Sequence, residues 1–215
     1  MMAPAMMAAL IVGIARLLSG SQARWVGCEP SLRQRVYFAN HSSHLDFVVL
    51  WAALPGPVRR LTRPVAARDY WEPNPIKRYF AVHVFNAGLV TRGLEGKGGD
   101  HAAAVAAARR SVEEAAVALG ERHSLILFPE GTRGAGREIG PFKSGLYYLA
   151  RLRPDVELVP AYLENLNRIL PKGEVLPVPF MGSVSFGAPL QLGPDEPREV
   201  FLTRARDALL ALRPR

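Results

Sequence analysis

The chain has 215 residues, 49% hydrophobic and 21% charged, with 27 Lys and Arg against 19 Asp and Glu for a formal charge of +8. That length suits one domain with a sizeable core, and the composition excludes both a disordered chain and a polytopic membrane protein. A single cysteine, Cys28, rules out an internal disulfide framework and a Cys-rich metal or iron-sulfur centre.

From Met1 to Leu18 the only charged side chain is Arg16. The run is short and Ala-rich for a span, and its positive charges follow the apolar stretch rather than precede it, unlike a cleaved signal peptide. Residues 1–30 are therefore expected to form a monotopic, membrane-associated helical segment. Leu10, Ile11, Ile14, Leu17 and Leu18 would share one side, with Trp25 at the headgroup level. A buried first helix of a soluble domain is the alternative. The whole positive charge lies before residue 111, where 14 basic residues meet 6 acidic ones. Pro57 to Arg78 concentrates it, with Arg59, Arg60, Arg63, Arg68, Lys77 and Arg78 among Tyr and Trp rings, a pattern open to a solvated surface, an anionic membrane or nucleic acid.

Residues 31–215 alternate strands and helices. Arg35 to Ala39, Ser124 to Phe128, Glu157 to Leu163 and Gly182 to Phe186 read as short buried strands. A helix capped by Asp100 and stopped by Gly120 carries Val105, Val112 and Leu119 on one face. Two more are expected from Lys143 to Leu152 and from Pro197 to Leu212, with Pro171 to Pro179 as a proline-rich loop. The pattern predicts a single α/β domain with a mixed, largely parallel sheet flanked by helices.

Two clusters each follow a predicted strand, where open α/β sheets bind ligands. In NHSSHLD, a helix beginning near Ser42 or Ser43 would turn Asp46 back toward His41, leaving the other imidazole nitrogen free as a base. The same residues also suit a helix cap beside a surface imidazole. His44 would point away from Asp46, and His83, His101 and His123 have no acidic partner at a useful spacing. In FPEGTRG, Gly131 allows close backbone approach, Thr132 offers a hydroxyl and Arg133 a bidentate guanidinium, a set suited to phosphate. A tight turn after a buried strand is the plain alternative.

Both motifs, in this order and separation, resemble those of the lysophospholipid acyltransferase family. FNAGLVTR is similar to the family's second motif, with Thr91 in place of an acid and Arg92 retained, and LVPAYLE to its fourth. PFKSG, with Lys143, is similar to the segment after the third motif, and Arg68 stands where many members have a lysine. Gly134 stands where serine is common.

The resemblance implies that His41 is the general base and Asp46 orients it, that Glu130, Gly131, Thr132 and Arg133, with Arg92 and Arg68, hold the acceptor's phosphate, and that Lys143 is a further substrate-binding residue. The implied partners are acyl-CoA or acyl carrier protein as donor, a lysophospholipid acceptor, by default lysophosphatidate, and an anionic membrane surface on the cytoplasmic face of the inner membrane. No cofactor, metal or nucleic acid is implied. Another lysolipid or glycerol phosphate would suit similar residues. Of other classes, a metal-dependent phosphoesterase would need further His and Asp ligands, and a nucleic-acid module leaves FPEGTRG unexplained.

Overall fold

Along the strand Arg35–Ala39, Val36 and Phe38 face one half of the core and Tyr37 and Ala39 the other, all four fully buried. Such alternation with burial on both sides marks a central strand covered by two helical layers. The computed structural model describes residues 3–19, 22–43, 45–91, 101–134, 138–164 and 182–214. His44, Arg92, Asp100 and the 171–179 loop lie outside them.

In chain order the described elements are α1 (Pro4–Ser19), β1 (Gln22–Trp25), β2 (Arg35–Ala39), α2 (Asp46–Ala53), α3 (Gly56–Leu61), β3 (Thr62–Ala67), α4 (Arg68–Trp71) and α5 (Pro75–Tyr79). A π-helical turn (Phe80–Val84) follows, then β4 (Gly88–Val90), α6 (His101–Leu119), β5 (Ser124–Leu127), α7 (Gly145–Leu152), β6 (Glu157–Glu164), β7 (Ser183–Phe186) and α8 (Arg198–Leu210). The sheet order is β1-β7-β6-β2-β5-β3-β4. Strands β2 to β6 run parallel to one another, β7 is antiparallel to β6, and β1 is parallel to β7. The sheet is thus mixed and largely parallel, as the strand-helix alternation predicts.

Helices α1 and α2 cover one face, where Val12, Leu50, Trp51 and Leu54 join Phe186 in the core. Helices α6, α7 and α8 cover the other with Leu119, Leu146, Leu149, Phe201 and Leu209. Each large apolar side chain buried in these layers contributes about 1.5–3 kcal/mol. Helix α6 ends at Gly120 with φ +50, the left-handed stop expected of glycine. Helix α7 opens at Gly145 rather than Lys143, and the Lys143 N–H is given to the Pro129 carbonyl at 2.8 Å.

Three expectations about the N-terminal half change. Gln22–Trp25, assigned from sequence to the membrane segment, forms the edge strand β1, and the Trp25 ring stacks on Phe186 at 4.0 Å and 11°. Trp25 thereby completes the sheet's packing. Helix α1 is two-sided: Val12 and Ala15 are buried, while Met6, Leu10, Ile14 and Leu17 are 59%, 49%, 47% and 81% exposed. Its Arg16 donates through Nε and Nη2 to the Ala52 carbonyl at 3.1 and 2.9 Å, which fastens α1 to the C-terminal end of α2. Among the described residues no helix is long and apolar enough to cross a membrane. Finally, the basic stretch from Pro57 to Arg78 is no uniform charged face. Arg59, Arg63 and Arg68 donate to the carbonyls of Leu54, Ala118 and Leu89, where they tie elements together.

Candidate active site

The site forms where the neighbouring parallel strands β2 and β5 end. Just past β2, Asn40 uses its side chain as a continuation of the ladder, donating Nδ2 to the Leu163 carbonyl at 2.9 Å and accepting from the Leu163 N–H at 2.8 Å. That clamp fixes the chain's exit and delivers His41 to the sheet's carboxyl edge. The Asn40 role has no sequence signal, since its partner lies 123 residues away.

His41 Nδ1 lies 2.8 Å from Asp46 Oδ2. The same oxygen accepts the Ser42 and Ser43 backbone N–H groups at 2.5 and 2.8 Å, and the Asp46 side chain is wholly buried. The helix start differs from the expected one at Ser42 or Ser43: α2 begins at Asp46 itself, with the carboxylate at the positive end of the helix dipole. With Nδ1 carrying the hydrogen given to Asp46, Nε2 keeps its lone pair. The imidazole is 23% exposed and stacks on Phe128, ring centroids 4.3 Å apart and planes 22° apart. From sequence, Phe128 ends the strand and opens the FPEGTRG cluster, with no contact to His41 expected of it.

The loop after β5 is stitched to His41 through the main chain. The His41 N–H donates to Glu130 Oε1 at 2.8 Å, and the Gly134 N–H donates to the His41 carbonyl at 2.8 Å. Glu130 Oε2 accepts the Gly140 N–H at 2.9 Å. Glu130 is 6% exposed, and each of its carboxylate oxygens accepts a main-chain N–H. Gly131 has φ +73, and a Cβ there would sit 2.9 Å from Lys143 Cδ and Cε. The position favours glycine for its backbone angle, and the flexible end of Lys143 lies against it. Thr132 is exposed and Arg133 half-buried beside it.

Arg68 starts α4 immediately after β3, the next strand beyond β5. At the usual strand spacing that is roughly 10 Å across the edge from β2. Its guanidinium donates to Glu72 Oε1 at 2.8 Å and to the Leu89 carbonyl at 3.1 Å, with Glu114 Oε1 3.6 Å away. Arg68 is held as a brace between β3, β4 and α6. Thr91 donates its N–H and hydroxyl to Glu114, so the carboxylate beside the end of β4 comes from α6. The structure therefore joins His41, Asp46, Glu130, Gly131 and Lys143 by direct contacts, with Thr132 and Arg133 on the same loop. Among the described residues no group of three His, Cys, Asp or Glu side chains is arranged to hold a metal ion. His123 and His83 lie apart from these contacts: burial, then Arg63 and Arg122, push the His123 imidazole below its ordinary range, and His83 tilts against Tyr79.

Beside the dyad, a cavity of about 430 Å³ opens between α1, α2 and the π-helical turn. Leu45 and Phe47, which flank Asp46, line it with Ile14, Trp71 and Phe80, and Lys77 is its single charged lining residue. Such an apolar lining suits a hydrocarbon chain.

An imidazole backed by a buried carboxylate, beside a cationic loop at the carboxyl edge of a parallel sheet, has the form of a general-base group-transfer site. Residues 29–164 match the model of the Acyltransferase family, and the chain belongs to that family. A 1-acyl-sn-glycerol-3-phosphate acyltransferase of Limnanthes alba is 31% identical over 175 residues, covering 80% of this chain and 56% of the relative. The protein of the same name from Cocos nucifera is 27% identical over 167 residues, covering 77% and 48%. This chain thus spans about half the length of these plant relatives. The crystal structure of the 1-acyl-sn-glycerophosphate acyltransferase of Thermotoga maritima has the same fold, with a TM-score of 0.65 at 18% identity over 95% of this chain and 77% of that one.

Proposed function

We infer that this chain moves a fatty acyl group from the thioester of acyl-CoA or acyl carrier protein to the free hydroxyl of lysophosphatidate, giving phosphatidic acid for phospholipid synthesis. The observation that carries the reading is the His41–Asp46 pair fastened to the loop bearing Thr132 and Arg133. His41 Nε2 takes the hydroxyl proton as the oxygen attacks the thioester carbonyl. The C–S bond then breaks, and the leaving thiolate recovers the proton from the imidazolium, so no acyl-enzyme forms. Asp46 holds the ring in the productive tautomer and stabilises its cation. Arg133, Thr132 and Lys143, with Arg92, grip the phosphate and so present the hydroxyl to the base. The names of the plant relatives and of the Thermotoga structure support this acceptor. The apolar cavity favours a lysolipid over glycerol phosphate, since it has room for a hydrocarbon tail next to the dyad.

The enzyme works at a lipid surface, on the cytoplasmic face of the inner membrane in this reading. The exposed apolar face of α1 and Ile76, 67% exposed, flank the cavity, with Lys77 and Arg78 placed to meet anionic headgroups. The test is a panel of lysolipids and glycerol phosphate with palmitoyl-CoA, in anionic vesicles and in micelles, reading thiol release and product mass. Phosphatidate formation that His41→Ala abolishes is the expected result. Acceptor-independent thiol release, or full activity in that variant, refutes the reading.

A further inference from the structure

A buried acid next to a phosphate site is a poor phosphate ligand, because like charges repel and its own oxygens need donors. Glu130 has found those donors in two main-chain amides from different segments, His41 at 2.8 Å and Gly140 at 2.9 Å. A second link, Gly134 N–H to the His41 carbonyl at 2.8 Å, closes the same junction from the other side. Both polar groups of His41's main chain are thus satisfied from positions 130 and 134, which bracket Gly131, Thr132 and Arg133. The spacing between base and phosphate grip is set at this junction.

We propose that Glu130 is a positioning residue: its carboxylate fixes the main chain of His41 against the loop that faces the acceptor's phosphate, and touches no phosphate itself. The proposal rests on the acyl-transfer reading above. An acceptor held by its phosphate presents the hydroxyl at one distance, and a base displaced by about 1 Å loses on the order of 100-fold in rate. No other acidic side chain reaches as far as glutamate, and glutamine, with one oxygen, must turn its amide nitrogen toward one of the two N–H groups.

The test compares wild type, Glu130→Gln and Glu130→Asp as full chains, with palmitoyl-CoA and lysophosphatidate in micelles. Steady-state kinetics are taken at a temperature where circular dichroism shows each variant folded, and amide hydrogen exchange is followed at His41 and Gly140. In Glu130→Gln, kcat per folded molecule should fall about 100-fold with both KM values within about threefold, and the His41 amide should exchange at least about tenfold faster. Glu130→Asp, which keeps the charge but shortens the reach, should lose less, about tenfold. A rise in acceptor KM alone would make Glu130 a phosphate ligand and overturn the proposal. So would unchanged kinetics, or a loss matching only the unfolded fraction. If the wild type acylates no lysophosphatidate, the acyl-transfer reading fails, and the exchange data still judge the clasp. A His41 amide that exchanges at unprotected rates in the wild type overturns it, even where neither variant folds.

Discussion

Asp46→Asn separates the charge of the carboxylate from its geometry. From spacing alone, the amide would present its nitrogen to His41, forcing the wrong tautomer, and by analogy with Ser-His-Asp triads the loss would be about 10,000-fold. The structure argues for a smaller effect. Oδ2 accepts from Ser42 N–H, Ser43 N–H and His41 Nδ1 together, so the asparagine oxygen is held at that place by two fixed backbone donors and the imidazole keeps its tautomer. What disappears is charge. Opposite unit charges about 4 Å apart attract by about 4 kcal/mol at an effective dielectric constant near 20, the amide dipole restores roughly half, and the remaining ~2 kcal/mol is about 30-fold in kcat. The amide nitrogen then occupies the place of Oδ1, which is buried and has no hydrogen-bond partner among the described residues. Its unpaired hydrogens should cost about 1–3 kcal/mol of stability, or about 2–4 °C in Tm per kcal/mol. Thiol release under saturating substrates, beside a thermal melt, measures both effects. A loss near 10,000-fold would mean the amide flips and the serine amides do not govern it. A loss under threefold would mean that the carboxylate's charge does not act on the imidazolium.

Arg133→Lys should raise the acceptor KM by about tenfold with donor KM unchanged, because an ammonium lacks the two-point fit to phosphate; a matching donor defect in paired saturation curves would refute that role. Gly131→Ala should lower kcat/KM by about 10-fold to 100-fold, since φ +73 opposes a Cβ and the loop beside the base must shift to relieve it. Gly134→Ser should stay within about threefold of wild type, as its Cβ would meet nothing nearer than Glu130 Oε2 at 3.4 Å; assays of the two glycine variants that ranked them oppositely would contradict the described loop. Arg16→Ala should lower Tm through loss of the bonds to Ala52 and weaken the seat of α1, which costs about 1–2 kcal/mol in differential scanning calorimetry.

The legible parts of the molecule are those whose determinants are local. The apolar runs of β2, β5 and β6 announce themselves within a few residues, and His41 and Asp46 are close enough in sequence for their meeting to be foreseen; of the expected α6 face, Val112 and Leu119 are buried but Val105 is 55% exposed. The contacts of Glu130 were not legible because its partners lie 89 and 10 residues away on main chain, and a backbone amide has no letter in the sequence. Strands β1, β3 and β4 escaped for a related reason. Thr62–Ala67 contains Pro64, Gly88–Val90 is too short to show a period, and Gln22–Trp25 became a strand only because β7 offers an edge. The Pro57 to Arg78 charges likewise look like a surface until the carbonyls that receive Arg59, Arg63 and Arg68 are brought beside them by folding.

Helix α2 is anchored at both poles, by the Asp46 carboxylate on the Ser42 and Ser43 amides and by the Arg16 guanidinium on the Ala52 carbonyl. Its eight residues span only about 12 Å, and one residue more or less would rotate one end by about 100° and shift it by about 1.5 Å relative to the other. Both anchors cannot survive such a step. Point substitutions on this helix after Asp46 are therefore a matter of packing, whereas insertions and deletions between Asp46 and Ala52 should be lethal to activity at any position. A library scanning single-codon indels through the gene should show that interval as a sharp-edged gap, bounded on one side by the catalytic pair and on the other by the seat of α1.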